Sequence, residues 1–471
     1  MVAYFLCAHM AGDKLCKPVL SICIPTFNRA DLLEALLDNL QVECAQVIGL
    51  IEVVVSDNAS TDQTQEVVRR CRLPIVYGRN KENIGFSGNL LNVTCNLASG
   101  EYVWVLGDDD VVLPGGVLRI IDSIKNAPDV SYHYVNFGWI GSQLRKRVVQ
   151  IESPSMSDFS TDNLQCDLLE WRRLSRLEEL VFLPSKNPSV LFSCIFSFVA
   201  RRQFYLDAQQ WLKPTNSLDG SSVHIDDCFP HAMLTLPRVA GEEVAYIGTP
   251  CVLQCVGGWE WGAYANKNMI FGIHQLFNWL EETPFAKDAM NRLWESYYDM
   301  AGRLFSRMKC YPDENKGVDI VMQKAIPDSA SHDVFWAAFM SETQVCVETS
   351  YEANLLAKLL RAHLAGNPGS KIGLWGIQGR GYQFLRNVQD LHEGIVWVAD
   401  KDRRFHGDKL EYSALHVSAP ETIVDASLDC LVVATRRDFI GDVVGFVHQV
   451  LPNDIVIVSV EGLSNSELYH A

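Results

Sequence analysis

EYVWVLGDDDVVLPGG, residues 101–116, decides how the rest of the chain is read. Its first seven residues are mostly apolar and of strand length, the pattern of a strand covered on both faces. The run ends in Asp108, Asp109 and Asp110, and the chain turns apolar again at Val111, Val112 and Leu113 before a Pro-Gly-Gly turn. Three adjacent carboxylates repel one another. As a solvated loop or helix cap they need open water, and the apolar residues on both sides leave little room for it. A hard divalent cation with oxygen ligands relieves the repulsion, so the triplet reads as a cation site.

The same alternation of strand and helix surrounds it. VLSICIP (19–25) is a continuous apolar run, followed by a helical stripe of Leu32, Leu33, Leu36, Leu37 and Leu40. IEVVVSD (51–57) is a second strand, and Ser60 with Gln63 forms a capping-box pattern for the next helix. PIVYGRN (74–80) is a third strand, and residues 87–99 form a helix with Gly100 as its C′ residue. Strands joined by helices imply a mostly parallel sheet with helices on both faces. Such sheets bind ligands at the carboxyl ends of their strands. Three polar clusters fall there: Thr26-Phe27-Asn28-Arg29, Asp57-Asn58 and Asp108-Asp109-Asp110. They are expected to converge on one crevice.

The chain has 471 residues, too many for one core. The middle holds strand-like runs (SYHYVNFGWI, PSVLFSCIFSFVA at 188–200, EVAYIGTPCVLQCV), and residues 264–365 read largely as helix. AGNPGSK (365–371) marks a linker. Beyond it a second alternation begins, with Gly376, Gly379 and Gly381 in a GxxGxG loop and Asp400 closing the next strand. The expected architecture is α/β with domains at 1–263, 264–365 (helical extension) and 366–471 (small and Rossmann-like).

A formal net charge of −17 argues against a nucleic-acid binder and against attachment to anionic lipid by overall charge. It also means that a polyanionic ligand needs local positive charge. The fourteen cysteines are scattered without a CxxC pair, which reads as buried free thiols in a reducing cytoplasm. No run is long and apolar enough to span a bilayer, and the N-terminus lacks the basic flank of a signal peptide.

LSICIPTFNRADLLEALLDNL, EVVVSDNASTDQT and NIGFSGNLLNVTCNLASGEYVWVLGDDD, in that order, resemble the family 2 glycosyltransferases of GT-A fold, most closely the abequosyltransferase-like branch. The resemblance covers roughly residues 19–125, and more weakly runs to about 265. It implies that Pro25, Thr26, Asn28 and Arg29 lie along the nucleotide, that Asp57 hydrogen-bonds the base with Asn58 beside it, and that Asn83, Gly85 and Asn89 shape the nucleotide-sugar pocket. Asp108, Asp109 and Asp110 become the DxD-type site that joins ribose, Mn²⁺ or Mg²⁺ and diphosphate, with Asp109 and Asp110 the most essential. Many members carry Asp where this chain has Gly107, which leaves the ligand assignment within the triplet open.

An inverting transfer also needs a carboxylate opposite the leaving group to take the acceptor's proton. Asp226 and Asp227 in SVHIDDCFPH are the one adjacent Asp pair between residues 126 and 260, and Asp227 is the preferred base. The alternative is a helix N-cap pair. His224, His231 and His274 read as structural or pocket-lining. Trp259 and Trp261 resemble the family's late Trp loop and are assigned to the acceptor.

The resulting expectation is an inverting, metal-dependent glycosyltransferase. It uses a nucleotide-diphosphate sugar and a glycan, lipid-linked glycan or protein acceptor in surface polysaccharide, O-antigen or glycoprotein synthesis. It is expected in the cytoplasm or peripherally at the inner face of the membrane. The C-terminal domain is read as structural, regulatory or homo-oligomerising. Two other readings stay open: an NAD(P)-dependent oxidoreductase acting through that domain, and a non-catalytic nucleotide-sugar-binding protein.

Overall fold

A computed structural model describes residues 17–141, 164–213, 224–256, 262–312, 315–401, 406–407, 409, 415–451, 455–460 and 462–463. The chain divides into two compact units, 1–340 and 341–471.

The first unit is built on a mixed sheet. Its strands are β1 (Leu20–Thr26), β2 (Ile51–Asp57), β3 (Ile75–Arg79), β4 (Tyr102–Val105), β5 (Val111–Val112), β6 (Tyr132–Gly141), β7 (Arg172–Leu174), β8 (Phe198–Arg201) and β9 (Val244–Val256). They lie in the order β3-β2-β1-β4-β8-β6-β9-β5, with β7 also on β9. β3, β2, β1 and β4 are mutually parallel, whereas β8 runs antiparallel to both β4 and β6. Every residue of β1 is buried, as a strand with helices on both faces requires. Helix α1 (Ala30–Glu43) buries Leu33, Leu36, Leu37 and Leu40 against the sheet, each worth roughly 1.5–3 kcal/mol of transfer free energy. At the centre Trp104 is fully buried and donates its indole N–H to the Phe196 carbonyl at 2.7 Å.

Several local expectations are corrected. Helix α2 (Thr64–Arg70) starts later than a cap at Ser60 would place it. The N-cap residue is Gln63, without a side-chain cap bond, and Asp62 ahead of it binds the first turn: its Oδ1 accepts from the Thr64 N–H at 3.0 Å and the Thr64 hydroxyl at 2.6 Å. Ser60 is drawn away: its Oγ accepts the Asn28 N–H at 2.9 Å and its N–H donates to Asp57 Oδ1 at 2.7 Å. Helix α3 (Gly85–Leu91) passes into a wider π turn over Asn92–Leu97, and Gly100 is not left-handed. A Cβ at Gly100 would stand 2.6 Å from Ser21 Oγ, so close approach explains that glycine. The apolar run 188–200 is mostly short 3₁₀ turns, Pro188–Val190 and Ile195–Ser197, and only its end joins β8. An apolar run cannot by its composition distinguish a buried strand from buried turns.

The other described helices of this unit are α4 (Gly116–Asn126), α5 (Arg202–Ala208), α6 (Ile225–Cys228) and α7 (Pro230–Thr235), which come before β9, and α8 (Ala265–Glu281), α9 (Lys287–Cys310), α10 (Val318–Lys324) and α11 (Ile326–Ser329), which follow it. Apolar residues of α8, α9 and α10 share one continuous core with the sheet, for example Ile270, Phe277, Tyr297 and Val321. Among the described residues no helix is long and apolar enough to cross a membrane. The described cysteines are free thiols, and burial pushes Cys44, Cys194 and Cys430 up to about 12.

Two buried histidines tie this core to pH. Burial disfavours the imidazolium and lowers His133 to about 4 and His231 to about 3. An unfolded histidine titrates near 6.5. Because the folded values are depressed, the unfolded chain binds more protons as pH falls below about 6.5, and folding stability falls with it until the folded values are reached. At pH 5 each histidine should account for a loss of about 2 kcal/mol relative to pH 7. Urea unfolding at the two pH values tests this, and His133→Gln should remove one residue's share. An unchanged pH dependence in that variant would rule the explanation out.

The second unit begins within α12 (Asp333–Gly366). It contains β10 (Ile372–Trp375), α13 (Arg380–Asn387), β11 (Ile395–Ala399), β12 (Cys430–Val433), α14 (Arg437–Val450), β13 (Val456–Ser459) and β14 (Gly462–Leu463). The sheet order is β11-β10-β12-β13-β14, parallel except for the last pair. The glycine loop is required sterically. Gly376 has φ 94°, and a Cβ on Gly381 would fall 1.9 Å from the Gly376 carbonyl oxygen. Glu352, 4% exposed, is ion-paired with Arg380 and, at 2.6 Å, with Arg437. Removing Glu352 leaves the Arg380 guanidinium, 15% exposed, without its carboxylate, whereas Arg437, 64% exposed, stays solvated. Glu352→Ala should therefore lower the unfolding free energy of this unit by about 3 kcal/mol. The check is denaturation monitored through Trp375 and Trp397, and a change under about 0.5 kcal/mol, the size of an ordinary surface substitution, would refute it.

Candidate nucleotide-sugar site

The crevice is assembled from the C-terminal ends of β1, β2 and β4. Thr26, the last residue of β1, donates its hydroxyl to Asp108 Oδ2 at 2.8 Å. Arg29, just before α1, forks across two carboxylates: Nη1 lies 2.7 Å from Asp108 Oδ1 and Nη2 lies 3.1 Å from Asp109 Oδ2. Asp110 folds back, with its Oδ2 accepting the Gly107 N–H at 2.8 Å. A Cβ at position 107 would stand 2.9 Å from Asp109 Oδ1 and 3.0 Å from Asp110 Oδ2. A side chain there would therefore crowd both carboxylates, which gives a physical reason for glycine at this position.

The loops flanking the crevice hold backbone that side chains adopt reluctantly. Asn28 has φ 52° and Ala59 has φ 65°. Left-handed backbone at a non-glycine residue costs on the order of 1–3 kcal/mol and persists only where its surroundings enforce it. Here the two loops lock together: Asn28 Oδ1 accepts the Thr61 N–H at 2.7 Å, and the Asn28 N–H donates to Ser60 Oγ at 2.9 Å.

The structure places Asp57, Asn58, Asn83, Gly85 and Asn89 behind this rim. Asp57 is fully buried, and its Oδ2 accepts from the Tyr77 hydroxyl at 2.6 Å with Arg79 Nε at 3.4 Å. Burial and the adjacent Asp57 push the Tyr77 phenol up, so it stays a donor. Asn58 gives its amide to Asn83 Oδ1 at 2.7 Å and the Gly85 carbonyl at 3.1 Å, while its Oδ1 accepts from Asn80 at 2.9 Å and the Ile84 N–H at 3.0 Å. Asn89 accepts from the Ser56 hydroxyl at 2.6 Å. These side chains shape the loop that enters α3.

A cavity of about 390 Å³ opens beneath the triplet, lined by Arg29, Gly107, Asp108, Asp109 and Asp110 at one end. Phe86, Trp139, Phe196, Phe229, Gln254 and Met269 contribute to the rest. Sequence reasoning missed these residues. They are apolar or neutral, and no charge pattern or spacing distinguishes them from core. His231 also lines the cavity, its Nε2 at 3.2 Å from the Phe192 carbonyl, and burial keeps it neutral. His274 lies elsewhere, on α8, with Nε2 at 3.0 Å from Asp328.

Asp226 and Asp227 sit on α6, whose last residue, Cys228, lines the cavity together with Phe229. The Asp226 carboxylate accepts the Lys213 N–H at 3.0 Å, and the Ser87 hydroxyl of α3 donates to the Asp226 carbonyl. The Asp227 N–H donates to the His224 carbonyl at 3.1 Å. Trp259 and Trp261 lie outside the described residues.

The donor set of the triplet is all oxygen, which fits a hard divalent ion. Among the described residues no three His, Cys, Asp or Glu side chains form a ready-made metal cluster. One or two carboxylates would hold the ion, with phosphate oxygens of a ligand completing its shell, the usual arrangement for Mg²⁺.

A mixed sheet carrying an acidic crevice at its parallel strand ends defines a GT-A-like α/β domain. Residues 21–200 match the family model for glycosyl transferase family 2. The chain is 28% identical over 244 residues to the abequosyltransferase RfbV of Salmonella typhimurium, covering 50% of this chain and 66% of that protein. It is 37% identical over 109 residues to the GalNAc(5)-diNAcBac-PP-undecaprenol beta-1,3-glucosyltransferase of Campylobacter jejuni, covering 22% and 34% respectively. The chain thus matches less than two thirds of the length of these relatives. Among solved structures, S. aureus TarS 1–349 in complex with UDP-GlcNAc is similar at TM-score 0.41 and 13% identity, over 83% of this chain and 95% of that one.

Proposed function

We propose that the chain is an inverting, metal-dependent glycosyltransferase. It moves a sugar from a nucleotide-diphosphate donor to a hydroxyl of a glycan, lipid-linked glycan or protein in surface polysaccharide, O-antigen or glycoprotein synthesis. It works in the cytoplasm or at the inner face of the membrane. The observation that carries the reading is the acidic triplet held by Thr26, Arg29 and Gly107 at one end of a cavity. The two curated relatives named above, an abequosyltransferase and a glucosyltransferase, support it.

In this reading the nucleotide lies along Pro25, Thr26, Asn28 and Arg29, over the loop that Asp57, Asn58, Asn83, Gly85 and Asn89 hold in place. Asp109 and Asp110, with Asp108 beside them, hold Mn²⁺ or Mg²⁺. Such an ion stabilises the charge that grows on the departing diphosphate. Asp227 takes the proton of the acceptor hydroxyl as its oxygen bonds to the anomeric carbon. The bond from that carbon to the diphosphate oxygen breaks, and the nucleoside diphosphate leaves. Trp259 and Trp261 are assigned to the acceptor. In the second unit Asp400 spends Oδ2 on the Ile377 N–H at 3.0 Å, and Arg380 donates across to the Thr435 carbonyl.

The test is a thermal-shift screen of the full chain against nucleotide sugars with and without Mn²⁺, followed by donor consumption for each hit. A ligand that binds the folded state selectively must raise its melting temperature. If no nucleotide sugar raises it in the presence of Mn²⁺, the proposal fails.

A further inference from the structure

We propose that Arg29 is the resident counter-ion of the acidic triplet. It holds the cation's place between Asp108 and Asp109 and gives that place up when a divalent ion and a diphosphate bind, moving its guanidinium from the carboxylates to the diphosphate. The proposal rests on the reading of the triplet as the metal-diphosphate site.

One guanidinium bridges two different carboxylates, at 2.7 Å and 3.1 Å. The three side chains are only 18%, 3% and 14% exposed, for Arg29, Asp108 and Asp109. At that depth charges are weakly screened, so a divalent ion and the guanidinium cannot share the same oxygens without strong repulsion. Asp108 and Asp110 each have a partner other than Arg29, whereas Asp109 is held by Arg29 and is the carboxylate freed to turn when the guanidinium leaves. Asp108 keeps the Thr26 hydroxyl on its other oxygen, and Asp110 keeps the Gly107 N–H. Arg29 is anchored through its backbone, with its carbonyl accepting from the Leu32 and Leu33 N–H groups of α1 at 3.1 and 3.0 Å. The exchange therefore needs only side-chain rotation.

The consequence is thermodynamic. With Arg29 in place, a divalent ion meets a triplet already partly neutralised, and binds weakly alone. A diphosphate offers the guanidinium a new partner, so ion and diphosphate favour each other's binding, and that coupling must be reciprocal.

The experiment titrates Mn²⁺ into the full chain and reads the free aqueous ion by electron paramagnetic resonance. It is run with and without UDP, CDP, GDP or dTDP, and needs no turnover. Arg29→Gln is expected to bind Mn²⁺ alone at least ~10-fold tighter than the wild type, and to lose most of the enhancement that the nucleoside diphosphate produces. Arg29→Lys keeps the charge without the fork and should fall between the two. It also carries the test if Arg29→Gln does not fold. Affinity for Mn²⁺ alone that is unchanged or weaker in both variants overturns the exchange. If the wild type takes up no Mn²⁺ even with nucleoside diphosphate, the metal-site reading itself falls.

Discussion

Asp109→Asn is expected to reduce Mn²⁺-dependent donor turnover by on the order of 10³-fold while leaving the fold intact. Asp109 is the most exposed of the carboxylates paired with Arg29, at 14% against 3% for Asp108. Asp108 is tied to Thr26 and Asp110 to Gly107, so Asp109 can turn toward an ion at the least structural cost. The amide is nearly isosteric and keeps one oxygen, but loses the charge that both Arg29 and a divalent ion require. The measurement is release of nucleoside diphosphate from the preferred donor across a Mn²⁺ titration, with melting temperature as the control for folding. A variant that retains wild-type turnover at low Mn²⁺ would remove Asp109 from the site.

The second large effect concerns the base. Asp227→Asn should lower kcat by ~10²–10⁴-fold with little change in the KM for donor, because proton removal belongs to the transition state and not to donor binding. Asp226→Asn should do much less. The Asp226 carboxylate already accepts the Lys213 N–H, whereas Asp227 directly precedes two residues of the cavity wall. Both variants are compared in transfer assays with saturating donor. If both keep full transfer, the base lies elsewhere; if Asp226→Asn is the damaging one, the two roles are exchanged.

Legibility in the sequence was uneven for a physical reason. Strands β1, β2 and β4 are buried on both faces, so they appear as unbroken apolar runs that stop where the backbone reaches the crevice. Polar residues at those stops are conspicuous, and Thr26, Arg29 and the triplet were found that way. The start of α2 departs from the Ser60 cap pattern because the Asn28 N–H takes the Ser60 hydroxyl and Asp57 takes its N–H, contacts that a local pattern does not show. The run 188–200 was misread because burial alone sets its composition.

The local pattern of the chain was enough to establish the alternating α/β order, the polar clusters at the strand ends and the concentration of negative charge at Asp108–Asp110. Those features depend on short-range periodicity and on charges adjacent in sequence. Tertiary structure decided which groups satisfy one another. It set Arg29 across Asp108 and Asp109, turned Asn58 and Asn89 inward to hold a loop, and formed a cavity wall from Phe86, Trp139, Phe196 and Phe229. Contacts between residues tens to hundreds of positions apart depend on how the elements pack, and no local pattern of charge or hydrophobicity encodes that.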